Sequence, residues 1–340
     1  MKKTRVMFSF PALVTLLITI PCMLPAQNAT SYHIAKTFHI ASSGGWDYIA
    51  VGPGNNRLYV SHGTQVNILD ETTGDSVGII ANTTGVHGIA FVPALGKGYT
   101  SNGRLNNITV FDLKTNQVLG QIATGQNPDA IMYDPFSKSV ITCNGRSNDL
   151  SIIDPVTEKT IATVAVGGKP ETAVSDGAGK LYVNIEDKNE IAVVNTKTNT
   201  VESHWSIAPA EGPTGLAIDP VTKKLFAGCD KLLVVIDLTS GKLVDKLPIG
   251  DGCDGVAFDK GSKNIFASCG EGKLTVIHEN ADGKYTVLGN VPTKRSARTL
   301  ALNESRHTIY LPAADLGTAA PGERRPPVIP GSFQVLVVQQ

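Results

Sequence analysis

At 340 residues, with 41% apolar and only 18% charged side chains, the chain has enough apolar mass for a large core, and disorder is not expected away from its ends. Its 30 basic and 30 acidic residues cancel, which argues against a surface built to neutralise nucleic-acid phosphates. The 34 glycines and 19 prolines supply many turns, and the low charge suits short strands better than long exposed helices.

Lys2, Lys3 and Arg5 precede an apolar run over residues 6–20, and the small Ala26 follows, as in a secretory signal peptide spanning residues 1–26. Cleavage is expected after Ala26, with Ala29 the second choice. Cys22 raises a lipoprotein alternative, but Pro21 stands where lipid-attachment signals usually carry a small residue. The run is short for a membrane span, and no later stretch reaches about 18 uninterrupted apolar residues. The expected product is exported, periplasmic or secreted, and soluble. Losing the leader leaves 27 of the 30 basic residues against 30 acidic ones, a slightly acidic mature chain.

Beyond the leader a unit of apolar strands and polar turns recurs. Aligned on a Gly-x-x-polar-x-apolar-Ala start, its fourth position falls at Asp47, His87, Asp129, Glu171, Thr214, Asp254 and Arg298, at spacings of 40, 42, 42, 43, 40 and 44 residues. A strand-rich period near 40 residues is that of propeller blades. Each unit opens with a short apolar strand such as Gly88-Ile89-Ala90-Phe91, small enough for a crowded axis. A turn of the kind Asp219-Pro220-Val221-Thr222 follows, in which Asp caps the turn and Pro presets the backbone. A second strand such as Leu181-Tyr182-Val183 carries β-branched and aromatic residues. The third ends in an acid or amide, as in Ile68-Leu69-Asp70 or Val235-Ile236-Asp237, and an outer strand such as Val118-Leu119-Gly120-Gln121-Ile122 completes the set.

The seventh unit supplies a third strand over residues 333–338 and then stops, without an outer strand. Residues 32–40 match the outer-strand pattern and precede any blade of their own. An all-β, seven-bladed propeller is expected over residues 32–338, with the N-terminal strand completing the last blade and leaving no open edge.

Leu58-Tyr59-Val60-Ser61 and Leu181-Tyr182-Val183-Asn184 make the chain resemble the YVTN-type β-propeller repeat family. Tyr99-Thr100-Ser101-Asn102 and Ile141-Thr142-Cys143-Asn144 depart from that motif. The resemblance implies the fold. It leaves function open, because such propellers look like binding modules in some proteins and like lyase or lactonase scaffolds in others.

In antiparallel blades the start of the first strand and the end of the second share one face. This places Asp47, His87, Asp129, Glu171, Asp254 and Arg298 around the channel mouth as candidate ligand-binding residues, with Thr214 the one uncharged member. The second-strand ends His62, Asn102, Asn144, Ile185, Cys229, Cys269 and Ala313 lie beside them, with Trp46, Arg104 and Arg146 near. His62 and His87 are the candidate catalytic bases. Asp47, His62 and His87 mix imidazole and carboxylate as a divalent metal would require, although no tight ligand motif is present. His33, His39, His204, His278 and His307 fall on outer strands, strand ends or turns.

Cys253 and Cys269 face each other in this register as disulfide candidates, Cys229–Cys253 is the competing pairing, and Cys143 is expected buried and free. Cys269 with His87 is the nucleophile pair to consider. The long insertion over residues 313–331 could cross the mouth and bring Arg324 or Arg325 to an anionic ligand. Nucleotide-cradling, nucleophile-elbow, haem-attachment and paired-cysteine zinc motifs are absent. The expectation is a monomeric, exported binding or scaffold protein that engages a small ligand or protein partner on this face. A lyase- or lactonase-like enzyme, metal-dependent in one form, is the alternative.

Overall fold

The computed structural model describes residues 1–4, 30–319, 322 and 326–340. Cys22, most of the expected leader, and Arg324 and Arg325 therefore lie outside the described residues. The described chain forms seven four-stranded antiparallel sheets in a ring, a seven-bladed β-propeller. Blade 1 is representative, with strands Trp46–Val51, Arg57–His62, Gln65–Asp70 and Ser76–Ile80 running from the axis outwards.

Blade 7 is built from both ends of the chain. Ala301–Asn303, Thr308–Ala313 and Gln334–Gln339 supply three strands, and His33–His39 adds the fourth. That strand pairs antiparallel from His33 opposite Gln339 to His39 opposite Gln334. The expected closure is present, so no blade presents an unpaired edge next to a gap in the ring.

Turn chemistry explains why the strands end where they do. Asp70 Oδ1 accepts the amides of Thr72 and Thr73 at 2.8 and 2.9 Å, and Asp112 Oδ1 those of Lys114 and Thr115 at 3.0 and 2.7 Å. The same hairpins then need a left-handed residue, supplied by Gly74 (φ 78°) and Asn116 (φ 62°), residue types that enter that region at least cost. On the same end of the ring, Asp134, Asp219 and Asp259 cap turns and also reach the next blade. They bind Ser175 Oγ at 2.6 Å, Lys263 Nζ at 3.0 Å and His307 Nδ1 at 2.6 Å.

The core lies between blades. Ile141, Leu150 and Ile152 of blade 3 pack with Leu181, Val183 and Val194 of blade 4, and Phe226 and Val235 of blade 5 with Phe258, Ile265 and Ile277 of blade 6. The second strands are buried on both faces, as along Ser139–Asn144, inner strands such as Pro128–Asp134 are mostly half-buried beside the channel, and the outer strand Thr200–Ser206 alternates exposed and half-buried residues. Each blade is thus stabilised mainly by its neighbours, as in other repeat architectures. No described helix is long and apolar enough to cross a membrane.

Candidate ligand site at the channel mouth

The mouth residues sit in β-bulges. In blade 1 Trp46 pairs with His62 and Ile49 with Val60, so Asp47 and Tyr48 together face the single residue Ser61. The same slip sets His87 and Gly88 against Ser101, Asp129 and Ala130 against Cys143, and Glu171 and Thr172 against Asn184. A bulge releases a residue from the ladder and re-aims its side chain, which here turns four consecutive blades toward one point. In blades 1 and 2 an opposing hydroxyl meets an amide of the bulge: Asp47 N donates to Ser61 Oγ at 3.0 Å and Gly88 N to Ser101 Oγ at 2.8 Å. Gly88 lacks a side chain for a physical reason, since a Cβ there would lie 2.8 Å from Ile131 Cγ2 on the neighbouring inner strand.

The charged side chains form one connected network. His87 Nδ1 lies 2.6 Å from Asp47 Oδ2 and 3.6 Å from Asp129 Oδ1. Arg298 Nη2 takes the other oxygen of Asp47 at 3.1 Å, and its Nη1 pairs with Asp254. Lys169 lies between Glu186, with which it pairs, and Glu171, whose Oε2 is 3.6 Å away. Five of the six candidate ligand residues therefore meet through direct contacts, and Glu171 joins through Lys169 and the charge of Asp129. Thr214, the uncharged member, instead donates its hydroxyl to the Cys253 carbonyl and stitches blade 5 to blade 6.

Burial and proximity shift these groups. Burial disfavours the imidazolium of His87, but the hydrogen bond to Asp47 and the charges of Asp129 and Asp47 prevail and raise its pKa to about 8. Burial, then the neighbouring Asp47, pushes the Asp129 carboxyl up, and burial with Asp129 does the same to Glu171. Tyr48 shares the Asp47 bulge. Burial and the charges of Asp129, Asp47 and Glu171 hold its phenol well above the usual range.

Above this network lies a cavity of about 630 Å³, lined by Trp46, His87, Arg104, Asn127, Arg146 and Arg298 among others. Arg104 and Arg146 occupy equivalent places in blades 2 and 3, two residues beyond the second strand. Both are exposed, and neither side chain has a hydrogen-bond or ion-pair partner among the described residues. His87 Nε2 is likewise without a protein partner there and lies over Gly103, where a Cβ would fall 2.7 Å from it. A cavity of about 500 Å³ at the other end of the strands, lined by Lys263, His278, Glu279 and Tyr285, brings together no comparable cluster.

His62 does not join His87. It is buried, its Nδ1 is 2.6 Å from Ser42 Oγ and its Nε2 3.0 Å from the Gly44 carbonyl, and its ring stacks on Phe333 at 3.9 Å. A carbonyl only accepts, so Nε2 carries the proton and Nδ1 is the acceptor. Burial holds the ring below the usual histidine range, as fits a neutral structural residue. Among the described residues the group whose ligand atoms approach closely enough for one ion is Asp47, His87 and Asp129, with Asp129 in the place expected of His62. Position in sequence could have flagged Lys169 and Asn127. They stand two residues before the mouth position, where blades 1, 2, 5 and 6 carry Gly45, Gly85, Gly212 and Gly252.

The four described cysteines are free thiols and buried. Cys253 and Cys269 are directly opposite in the register, and the neighbouring Cys269 thiol together with burial holds the Cys253 thiol well above its ordinary range. Cys269 is fully buried, hydrogen-bonds the Ala267 carbonyl at 3.7 Å and does not reach His87. Cys143 is buried beneath Asp129 and Glu171, whose charges add to burial in raising its pKa. His204, His278 and His307 pair with Glu190, Asn264 and Asp259, away from the mouth. The insertion closes on itself: Leu316 bridges Val328, Gly317 N donates to Pro327 O at 2.8 Å, and its described residues line none of the mouth cavity.

No family profile matches the sequence, and none of the curated proteins does. Among solved structures the chain is similar to hydrazine synthase of Kuenenia stuttgartiensis, with a TM-score of 0.72 and 17% identity over 80% of this chain and 94% of that one. A likeness at that identity shows a shared propeller fold.

Proposed function

We propose that this seven-bladed propeller is an exported binding protein whose channel mouth takes a small ligand bearing a carboxylate or comparable anionic group. The observation that carries it is the pair Arg104 and Arg146, without a side-chain partner among the described residues at the rim of a cavity of about 630 Å³. A guanidinium offers a planar fork of donors matched to such anions. Arg298, by contrast, is already engaged with Asp47 and Asp254, so it shapes the floor. His87 Nε2 adds a third polar group converging on the same space. A preformed concave site with a few convergent polar groups is what small-ligand recognition requires.

The test is calorimetric titration of chelator-treated protein with small mono- and dicarboxylates and with inorganic phosphate, which separates the two anion classes. Binding by one of them, weakened about 10- to 100-fold in Arg104→Ala or Arg146→Ala, is expected from charge-assisted hydrogen bonds of about 1.5–3 kcal/mol. No binding at millimolar concentration, or binding indifferent to both substitutions, contradicts the proposal.

A second reading, a lyase- or lactonase-like enzyme, is favoured by the contact of 2.6 Å between His87 Nδ1 and Asp47. That contact orients the ring and leaves Nε2 toward the cavity, the arrangement of a general acid–base residue. His87→Gln, whose amide keeps a polar group at the cavity, would then abolish turnover while weakening anion binding far less than Arg104→Ala does. Retained turnover in that variant removes His87 from the chemistry.

A further inference from the structure

Asp47, His87 and Asp129 stand on three consecutive blades, 40 and 42 residues apart, so no local motif announces them. Their ligand atoms nevertheless all lie within 4.8 Å of one another, with separations of 2.6 and 3.6 Å from His87 Nδ1 to the two carboxylates. A tetrahedral ion with bonds of about 2.0–2.2 Å sets its ligands roughly 3.4 Å apart, between those values. One imidazole and two carboxylates suit zinc, manganese or ferrous iron rather than a soft monovalent ion.

Two further features make this more than a group of acids. Arg298 grips Asp47 Oδ1 at 3.1 Å and is itself held by Asp254, so Oδ2 is turned toward His87 as an outer-shell partner turns a metal ligand. Beside Asp129, Glu171 Oε2 is buried without a hydrogen-bond partner, with Lys169 Nζ no closer than 3.6 Å. Asp47, Asp129 and Glu171 are thus all largely shielded from water, with Arg298 beside Asp47 and Lys169 beside Glu171, whereas Asp129 meets no cation other than His87 within ion-pair distance among the described residues.

We infer that Asp47, His87 and Asp129 bind a first-row divalent cation at the floor of the mouth, with its remaining coordination position facing the cavity. Three protein ligands and one open position is the pattern of zinc sites that meet a substrate, whereas structural sites are closed by four. Ligation through Nδ1 leaves the ring proton on Nε2, so His87 becomes a fixed donor toward the cavity beneath Arg104 and Arg146. Cation and anion would then strengthen one another's binding; this coupling rests on the anion-binding proposal, whereas the cation site itself does not.

The experiment is equilibrium dialysis of the purified full chain against Zn²⁺, and separately Mn²⁺, in a buffer free of carboxylate and phosphate, followed by desalting and elemental analysis. The parent is expected to retain about one ion per chain, and Asp129→Asn and His87→Gln to bind it at least about tenfold more weakly. Melting of each variant in chelator shows whether it is folded, and either folded variant suffices for the comparison. Metal retention by the parent no greater than in a chelator-treated control overturns the assignment, as does retention by a folded variant equal to the parent's. Anion titration of the chelator-treated protein is independent, so loss of the cation site leaves the anion-binding proposal standing, and the reverse.

Discussion

Phe38→Ala tests whether the N-terminal strand stabilises the ring as well as completing it. Phe38 is 5% exposed and packs with Ile49 and Leu58 of blade 1 and with Tyr310, Val335 and Val337 of blade 7. Its ring also covers Gly74, where any side chain would collide with it. Truncation therefore opens a cavity at the seam between the first and last blades, and buried Phe→Ala changes cost about 3–5 kcal/mol. Unfolding entropy near 2.1 cal/mol/K per residue gives about 0.6 kcal/mol/K for a domain of this size, so Tm should fall by about 5–8 °C. Differential scanning calorimetry and urea unfolding of the parent, Phe38→Ala and the control Ile79→Ala measure this. Ile79 is an outer-strand residue 47% exposed, where truncation should matter by about 0.5 kcal/mol or less. A Phe38→Ala shift no larger than the control's would refute the assigned role. Deleting residues 32–40, which removes Tyr32 and Ile40 as well, should be more severe still. Tyr32 meets Asn264 of blade 6 at 3.1 Å and stacks edge-on against Phe266, so the segment secures two seams.

Three other outcomes are expected. Burial opposes the charge of Asp219, but Lys263, the Val221 amide and the Thr222 hydroxyl outweigh it and hold the carboxyl below its ordinary range. A depressed folded pKa gives stability that is present above the unfolded value of about 3.9 and lost as pH falls through the folded one. Asp219→Asn should therefore flatten the acid limb of the stability profile, and unfolding curves at low pH that match the parent's in slope would contradict this. Removing residues 318–326 should change Tm by no more than about 2 °C and leave anion affinity intact, since the Leu316–Val328 bridge closes the base of the loop and loop length costs little. Lost affinity would show that the insertion reaches the mouth. Refolding of the denatured chain, whose thiols are accessible, in a glutathione redox buffer should join Cys253 to Cys269, because directly opposed antiparallel residues lie about 4.5–5.5 Å apart, within disulfide range. Peptide mapping that finds Cys229–Cys253 instead, or only free thiols, would rule the pairing out.

The blades were legible because their causes are local. Asp70, Asp112 and Asp237 cap turns two and three residues away, and apolar strands follow at a fixed interval. Even the closing strand could be placed, since a blade without its outer strand and an outer strand without its blade account for each other. The identity of the mouth residues followed from antiparallel geometry alone. What linked them did not: two histidines at the same face looked equivalent, and only one of them is available. His62 is enclosed by Ser42, Gly44 and Phe333, the last of which lies 271 positions away in sequence.

The sequence by itself determined the period, the strand grammar and which first-strand positions share one face, because these follow from alternation, turn chemistry and antiparallel pairing within about 40 residues; the ring closure, which pairs the two ends of the chain, was legible because the last blade lacks an outer strand and residues 32–40 lack a blade. Tertiary structure decided the rest. The bulges that turn Asp47, His87, Asp129 and Glu171 inwards depend on how one inner strand crowds the next. The network itself is made of contacts such as Arg298 with Asp47, 251 residues apart, which exist only once the ring has closed. Side chains from separate blades meet according to distances set by packing around an axis, and no spacing along the chain encodes those.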